Sequence, residues 1–118
     1  MNPATKNGEI EVGVTLHKGK PARLILLTSM IDGIEPASWD EVQAFAEKHN
    51  ASAPSRIDGL VLWQRAAKQF KTDLPYWTCE ESVGVRGYAW RQWFDDDIQN
   101  RCLKGTKARA CLVRRVLI

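Results

Sequence analysis

The sequence predicts an α+β fold: an antiparallel sheet with two helices, in the order β-β-α-α-β-β-β-β. Three observations carry that reading. Residues alternate apolar and polar near both ends of the chain, at 9–16 and again from 76 onward. Between them lie two Ser-led capping signatures, each followed by apolar residues at helical spacing. Gly- and Pro-containing turns separate the pieces.

The elements follow in order. Residues 1–8 read as a flexible N-terminal arm, and residues 9–118 as a single domain. In "EIEVGVTL", Ile10, Val12, Val14 and Leu16 alternate with Glu9, Glu11 and Thr15, as in a half-buried strand. "HKGKP" turns the chain, and "ARLILLTSM" is apolar enough for a strand covered on both faces. The first helix opens at "SWDE", with Ser38 as N-cap and Glu41 closing the capping box. Trp39, Val42, Phe45 and Ala46 share its apolar face, and His49 and Asn50 end it. After the loop "ASAPS", a second helix starts at Ser55, with Asp58 at its third position. Ile57, Leu60, Val61, Ala67 and Phe70 supply its expected apolar face, and "KTDLP" stops it.

From Tyr76 the period returns to two. "YWTCE" is a short strand, and "GYAWRQWF" a longer one with Tyr88, Trp90, Gln92 and Phe94 on one face. "IQNRCL" and "ARACLVRRVL" follow, joined by "KGTK", and read as a closing hairpin. The "FDDDIQ" segment is the tight turn before it.

Composition narrows the function classes. Apolar residues are 44% and charged residues 26%, as in a globular chain rather than a disordered one. Five Trp in 118 residues point to aromatic packing in a modest core. The start "MNPATKNGEI" lacks a signal-peptide pattern, and no apolar run nears the roughly 20 residues that span a bilayer. A cytoplasmic or virion-associated protein, with no membrane partner, is therefore expected. Cys79, Cys102 and Cys111 match no metal spacing, and their odd number argues against a secreted disulfide framework. Cys102 and Cys111 could still face each other across the closing hairpin.

In motif content the chain resembles the Lcl C-terminal-like family, a former domain of unknown function with a C-type-lectin-like fold. A subset of about this length, small phage- and prophage-encoded proteins, looks especially similar. The strand "ARLILLTSM" before a helix opening on Trp39 is part of that pattern, and "APSRIDGLVLW" stands where the subset has an "LPTR" type loop. "YWTCEES" matches its "YWSSE" type strand. "YAWRQWFDDDIQ" and "KARACLVRRV" match its closing motifs, over residues 9–118 in all. Asp97 stands where the subset has Gly, which implies a left-handed residue in that turn at roughly 1 kcal/mol. The "SRIDG" opening also departs from the subset's basic-acidic pattern.

The resemblance implies a binding fold, and the residues supply no catalytic set. Asp95, Asp96 and Asp97 could attract a hard cation, but the sugar- and calcium-binding motifs of C-type lectins are missing. His17 and His49 have no nucleophile at a telling spacing, and the cysteine pair of the formylglycine-generating enzymes has no counterpart. No cofactor, metal or phosphate loop is expected.

Two faces remain as candidates. In lectin folds, recognition varies near the last strands of the sheet. The equivalent positions here are Arg91, Trp93, Asp95, Ile98, Asn100, Arg101, Leu103 and Lys104, a mixture typical of protein-binding hot spots. The expected partner is a host or phage protein, and the expected role is a non-enzymatic module. Inhibition of a host defence complex, as by an anti-CRISPR, is one such role, and a particle or receptor-recognition accessory is another. The alternative is nucleic acid, bound by Arg101, Lys104, Lys107, Arg109, Arg114 and Arg115, a terminal run of cations free of acids. Those arginines have a competing structural use, with Arg109 or Arg114 pairing Glu80 or Glu81. An exposed sheet edge would also admit a homodimer.

Overall fold

A computed structural model describes residues 8–118, so the expected arm, except Gly8, lies outside the described residues. The elements are β1 (Ile10–His17), β2 (Lys20–Leu26), α1 (Trp39–Lys48), α2 (Arg56–Ala66), β3 (Tyr76–Glu81), β4 (Tyr88–Gln92), β5 (Gln99–Leu103) and β6 (Val113–Leu117). They build an α+β fold with two three-stranded antiparallel sheets rather than one, β1-β2-β6 and β3-β4-β5.

Both helices start as their sequences require. Ser38 and Glu41 bond reciprocally at the head of α1, and Ser55 and Asp58 do so at the head of α2. Each pair satisfies two N–H groups that the first turn leaves without helical partners. Asn50, just beyond His49, takes φ 57°, the left-handed conformation that ends a helix. The second helix stops earlier than its apolar spacing suggests, at Ala66, and a 3-10 turn carries the chain to Phe70.

The expected closing hairpin does not form. The segment from Ala108 to Leu112 leaves β5 and runs between the sheets, outside any regular ladder. Its polar backbone is shared among neighbours: Ala108 exchanges N–H···O bonds with Ala37, Asp32 donates to the Ala110 carbonyl, and Leu27 donates to the Leu112 carbonyl. The chain then enters β6 and pairs with β2, from Leu26↔Val113 to Ala22↔Leu117. Period-two alternation reported an extended chain correctly, but extended chain in a core need not be sheet. Cys102 and Cys111 are consequently not cross-strand neighbours, and all three cysteines are free thiols.

Two other expectations fail for local reasons. A bulge interrupts β1 between Glu11 and Gly13, and Gly13 sits at φ 153°, which glycine reaches without strain. The extra residue reverses the faces, so Thr15 is buried while Val14 and Leu16 point outward. In α2 the buried positions are Asp58, Gly59, Leu62 and Ala66, whereas Ile57 and Leu60 are 45% and 44% exposed. Asp58 turns the helix: its buried carboxylate accepts from the Thr15 hydroxyl at 2.5 Å and from Arg115 Nε at 2.8 Å.

The core lies where the sheets, helices and threaded segment meet. Phe70 and Phe94 stack 3.9 Å apart, and Tyr76 meets both edge-on at 5.2 and 5.4 Å. Trp77 is fully buried among Ala37, Ala89, Ala108 and Ala110, whose small side chains leave room for the indole. Its Nε1 donates to the Ala37 carbonyl at 2.9 Å. Burying one such aromatic side chain contributes roughly 4–6 kcal/mol of transfer free energy, as an upper bound.

Two substitutions test this account. Asp58→Ala strands the Arg115 guanidinium in the interior and removes one half of the capping box of α2, the acceptor for the Ser55 N–H. Urea unfolding should show a loss of about 3–5 kcal/mol, and a loss below about 1 kcal/mol would contradict the buried ion pair. Gly59→Ala improves intrinsic helix propensity by about 1 kcal/mol. Yet a Cβ there would lie 2.7 Å from Gln92 Oε1, an atom already held by Gln99 Nε2 at 2.6 Å. A net destabilisation of about 1–3 kcal/mol is expected from the overpacking, and a stabilised variant would refute the tight contact.

Candidate protein-interaction face

The site is built on one face of the β3-β4-β5 sheet, where the start of α2 approaches it. Register places Gln92 opposite Gln99, Trp90 opposite Arg101, and Tyr88 opposite Leu103. These three rungs alternate with Arg91–Asn100 and Ala89–Cys102, so they share a face. At the covered end, Gln99 Nε2 donates to the Gln92 amide oxygen at 2.6 Å and to the Arg56 carbonyl at 2.7 Å. Arg56 Nε returns a bond to Gln99 Oε1 at 3.2 Å, and its backbone N–H donates to Glu80 Oε2 at 2.7 Å. The head of α2 is thereby fixed to the sheet.

Those bonds put the Arg56 guanidinium 3.6 Å above the centroid of the Trp90 ring. The Arg101 guanidinium lies 5.6 Å from the same centroid. Both are within reach of the ring's negative face, worth about 0.5–2 kcal/mol each depending on hydration. Val85, Tyr88, Trp90, Asn100 and Arg101 line a shallow concavity of about 540 Å³. A second depression of about 290 Å³ adjoins it along Arg56, Ile57, Leu60, Glu80 and Gln99. Ile57, Leu60 and Leu103 are exposed beside the two arginines, with Leu103 at 54%. Among the described residues, none of Arg56, Arg86, Arg91 and Arg101 has a carboxylate within ion-pair distance.

The eight residues expected to form one face are divided. Arg101 and Leu103 join Trp90 and Tyr88 on the face just described, and Asn100 reaches its rim. Arg91 belongs to the other face and donates from Nε to Asn100 Oδ1 at 3.1 Å. Trp93, Asp95 and Ile98 sit in the β4–β5 turn, which closes through Trp93 N–H to the Ile98 carbonyl at 3.0 Å. Lys104 is ion-paired with Glu81 and lies 4.6 Å from the Trp39 ring centroid. Positive φ is not found at Asp97; among described non-glycine residues it occurs at Lys18, Asp32 and Asn50. The turn is held instead by Asp96 Oδ1, which accepts from the Ile98 N–H at 3.0 Å, the side-chain-to-backbone bond Asp makes two residues on.

The alternative basic set is mostly committed within the fold. Arg109 bonds both oxygens of Asp73, at 3.0 and 2.9 Å, and reaches Asp32 at 3.2 Å. That pairing holds the Asp73 carboxyl below the usual range. Arg114 pairs with Glu9, and Arg115 with Asp58. Glu80 and Glu81, the partners expected for Arg109 or Arg114, instead serve the Arg56 backbone and Lys104. Of the six cations, only Arg101 and Lys107 remain outside ion pairs among the described residues.

Among the described residues, no cluster of three or more His, Cys, Asp or Glu could hold a metal ion, and no helix is long and apolar enough to cross a membrane. His49 packs edge-on against Phe45 at 4.8 Å. The chain matches no family model, and a search of curated proteins gives no match. The likeness to the Lcl C-terminal-like family thus rests on the motifs in the chain. Trp90 and Arg56 escaped the sequence reading, because only the register of β4 on β5 and the docking of α2 bring them to Arg101.

The cysteines offer a simple check of the geometry. Burial pushes the thiols of Cys79 and Cys111 up, which lowers their thiolate fraction at neutral pH. Cys111 is also sealed from solvent. Iodoacetamide should modify Cys102 first in the folded protein, read by peptide mass spectrometry. Early labelling of Cys111 would contradict the threaded core.

Proposed function

We propose that the chain is a non-enzymatic protein-binding module whose contact face is centred on Trp90. The observation that carries this reading is the grouping of half-buried Trp90, Tyr88 and Arg56 with exposed Arg101, Leu103, Ile57 and Leu60. Trp, Tyr and Arg are the residues in which binding energy concentrates at protein interfaces. The face is also pre-organised, since the Gln92–Gln99–Arg56 bonds already hold it, which reduces the ordering cost of association.

The motif resemblance supports a C-type-lectin-like assignment and a phage or prophage origin, and the α+β layout is compatible with both. Within that setting the favoured role is inhibition of a host defence complex by occupying a protein surface. A particle-associated or receptor-recognition role would use the same face. The nucleic-acid reading loses most of its support, because three of the four arginines that motivated it, Arg109, Arg114 and Arg115, pair with carboxylates of the chain itself.

Affinity capture from host lysate tests the proposal, with wild type compared against Trp90→Ala/Arg101→Glu after melts show both folded. A protein retained by the wild type and lost from the variant is the expected result. Equal retention by both would remove the face. Nucleic acid recovered in its place, with affinity falling steeply as salt rises, would restore the basic-strand alternative.

A further inference from the structure

The charge on the proposed face is unbalanced, and the imbalance indicates what it fits. This inference rests on the protein-binding reading above. Lys104, Arg109, Arg114 and Arg115 each meet a carboxylate of the chain. Arg56 and Arg101 do not, although Arg56 lies over the Trp90 ring and Arg101 lies 5.6 Å from its centroid. Stacking occupies the flat side of a guanidinium and leaves the N–H groups along its edge available. Arg101 directs one of these to the Ser82 hydroxyl at a long 3.4 Å, and Arg56 directs Nε to the Gln99 amide. Both acceptors are neutral. Glu80 is engaged by the backbone N–H of Arg56, and Glu81 by Lys104. Among the described residues, the chain therefore leaves two guanidinium edges without an ion-pair partner beside an aromatic floor.

We infer that the concavity at Trp90 receives an acidic side chain, Asp or Glu, from an extended acidic segment of the partner protein. Its carboxylate meets the guanidinium edges of Arg101 and Arg56, a planar donor arrangement that matches two carboxylate oxygens. Its hydrocarbon part packs on Tyr88 and Trp90. A polyanion fits less well. Asp95, Asp96 and Asp97 follow Trp90 on the same hairpin, starting within roughly 17 Å of it along the chain. A nucleic-acid strand, charged at every step, would meet those acids, whereas a short acidic segment can end before them.

Short random peptides displayed on phage, selected against the full chain at about 0.15 M salt, test the inference. Selected peptides are then measured against wild type, Arg101→Glu, Arg56→Glu and the control Lys20→Glu, with an oligothymidylate as a parallel probe. Lys20 is exposed at the start of β2, in the other sheet, and its reversal changes net charge equally. Arg101 is exposed, and a Glu at position 56 falls in the first turn of α2, where an acid suits the helix, so both variants should fold. Circular dichroism melts verify this. The expected result is enrichment of Asp and Glu, with binding weakened roughly tenfold or more by either arginine reversal and little changed by Lys20→Glu. Peptides without acidic enrichment, or binding indifferent to Arg101→Glu, would overturn the acidic-partner inference and leave protein binding standing. Recovery of no peptide also overturns it. If the oligothymidylate alone binds, and Arg101→Glu abolishes that binding, the protein-binding reading falls as well.

Discussion

A single buried carboxylate ties the fold together. Asp58 is fully enclosed, and its two oxygens meet the Thr15 hydroxyl, the Ser55 N–H and the Arg115 guanidinium. Those groups come from β1, the loop before α2, and β6. An ionised acid in a protein interior is tolerated only when such partners are all in place. The requirement fixes how far α2 advances across both sheets. Arg56, two residues earlier in the same turn, is thereby delivered to Trp90. The structural hub and the proposed contact face are consequences of one constraint.

The parts of the fold legible in the sequence were those set by neighbours along the chain. Ser38 with Glu41, and Ser55 with Asp58, announce helix starts because a cap and its partner are three residues apart. Strand segments showed as alternation for the same reason. Faces were less legible where one residue breaks a period. The bulge before Gly13 turns Thr15 inward, and the apolar Val14 and Leu16 give no hint of it. In α2, spacing favoured Ile57 and Leu60, but a buried charge with two distant partners outweighs a few methyl groups. The partner of β6 was least legible, since "ARACLVRRV" would suit either sheet edge.

The candidate site followed the same division. Arg101 and Leu103 were found as exposed residues on a late strand, which local pattern can suggest. Trp90 and Arg56 depend on register and on a helix docking more than thirty residues upstream in the chain. The basic tail shows the converse error. A run of cations looks like a surface for a polyanion until Asp32, Asp73, Glu9 and Asp58 arrive from elsewhere. Net charge alone does not distinguish an arginine that holds the fold from one that faces a partner, and the carboxylate beside it does.

The threaded segment at Ala108–Leu112 also orders events in time. It supplies small residues around Trp77 and leads into the strand that pairs with β2. The β2–β6 ladder joins Ala22 to Leu117, a separation that spans most of the chain. Contacts so distant in sequence close late and slow the overall search. During synthesis, β1, β2 and both helices emerge well before the piece that seals their shared interior. Until residues 108–117 have been added, Trp77 and the inner faces of both sheets lack part of their cover. The nascent chain is thus most exposed to misassociation just before its last strand arrives.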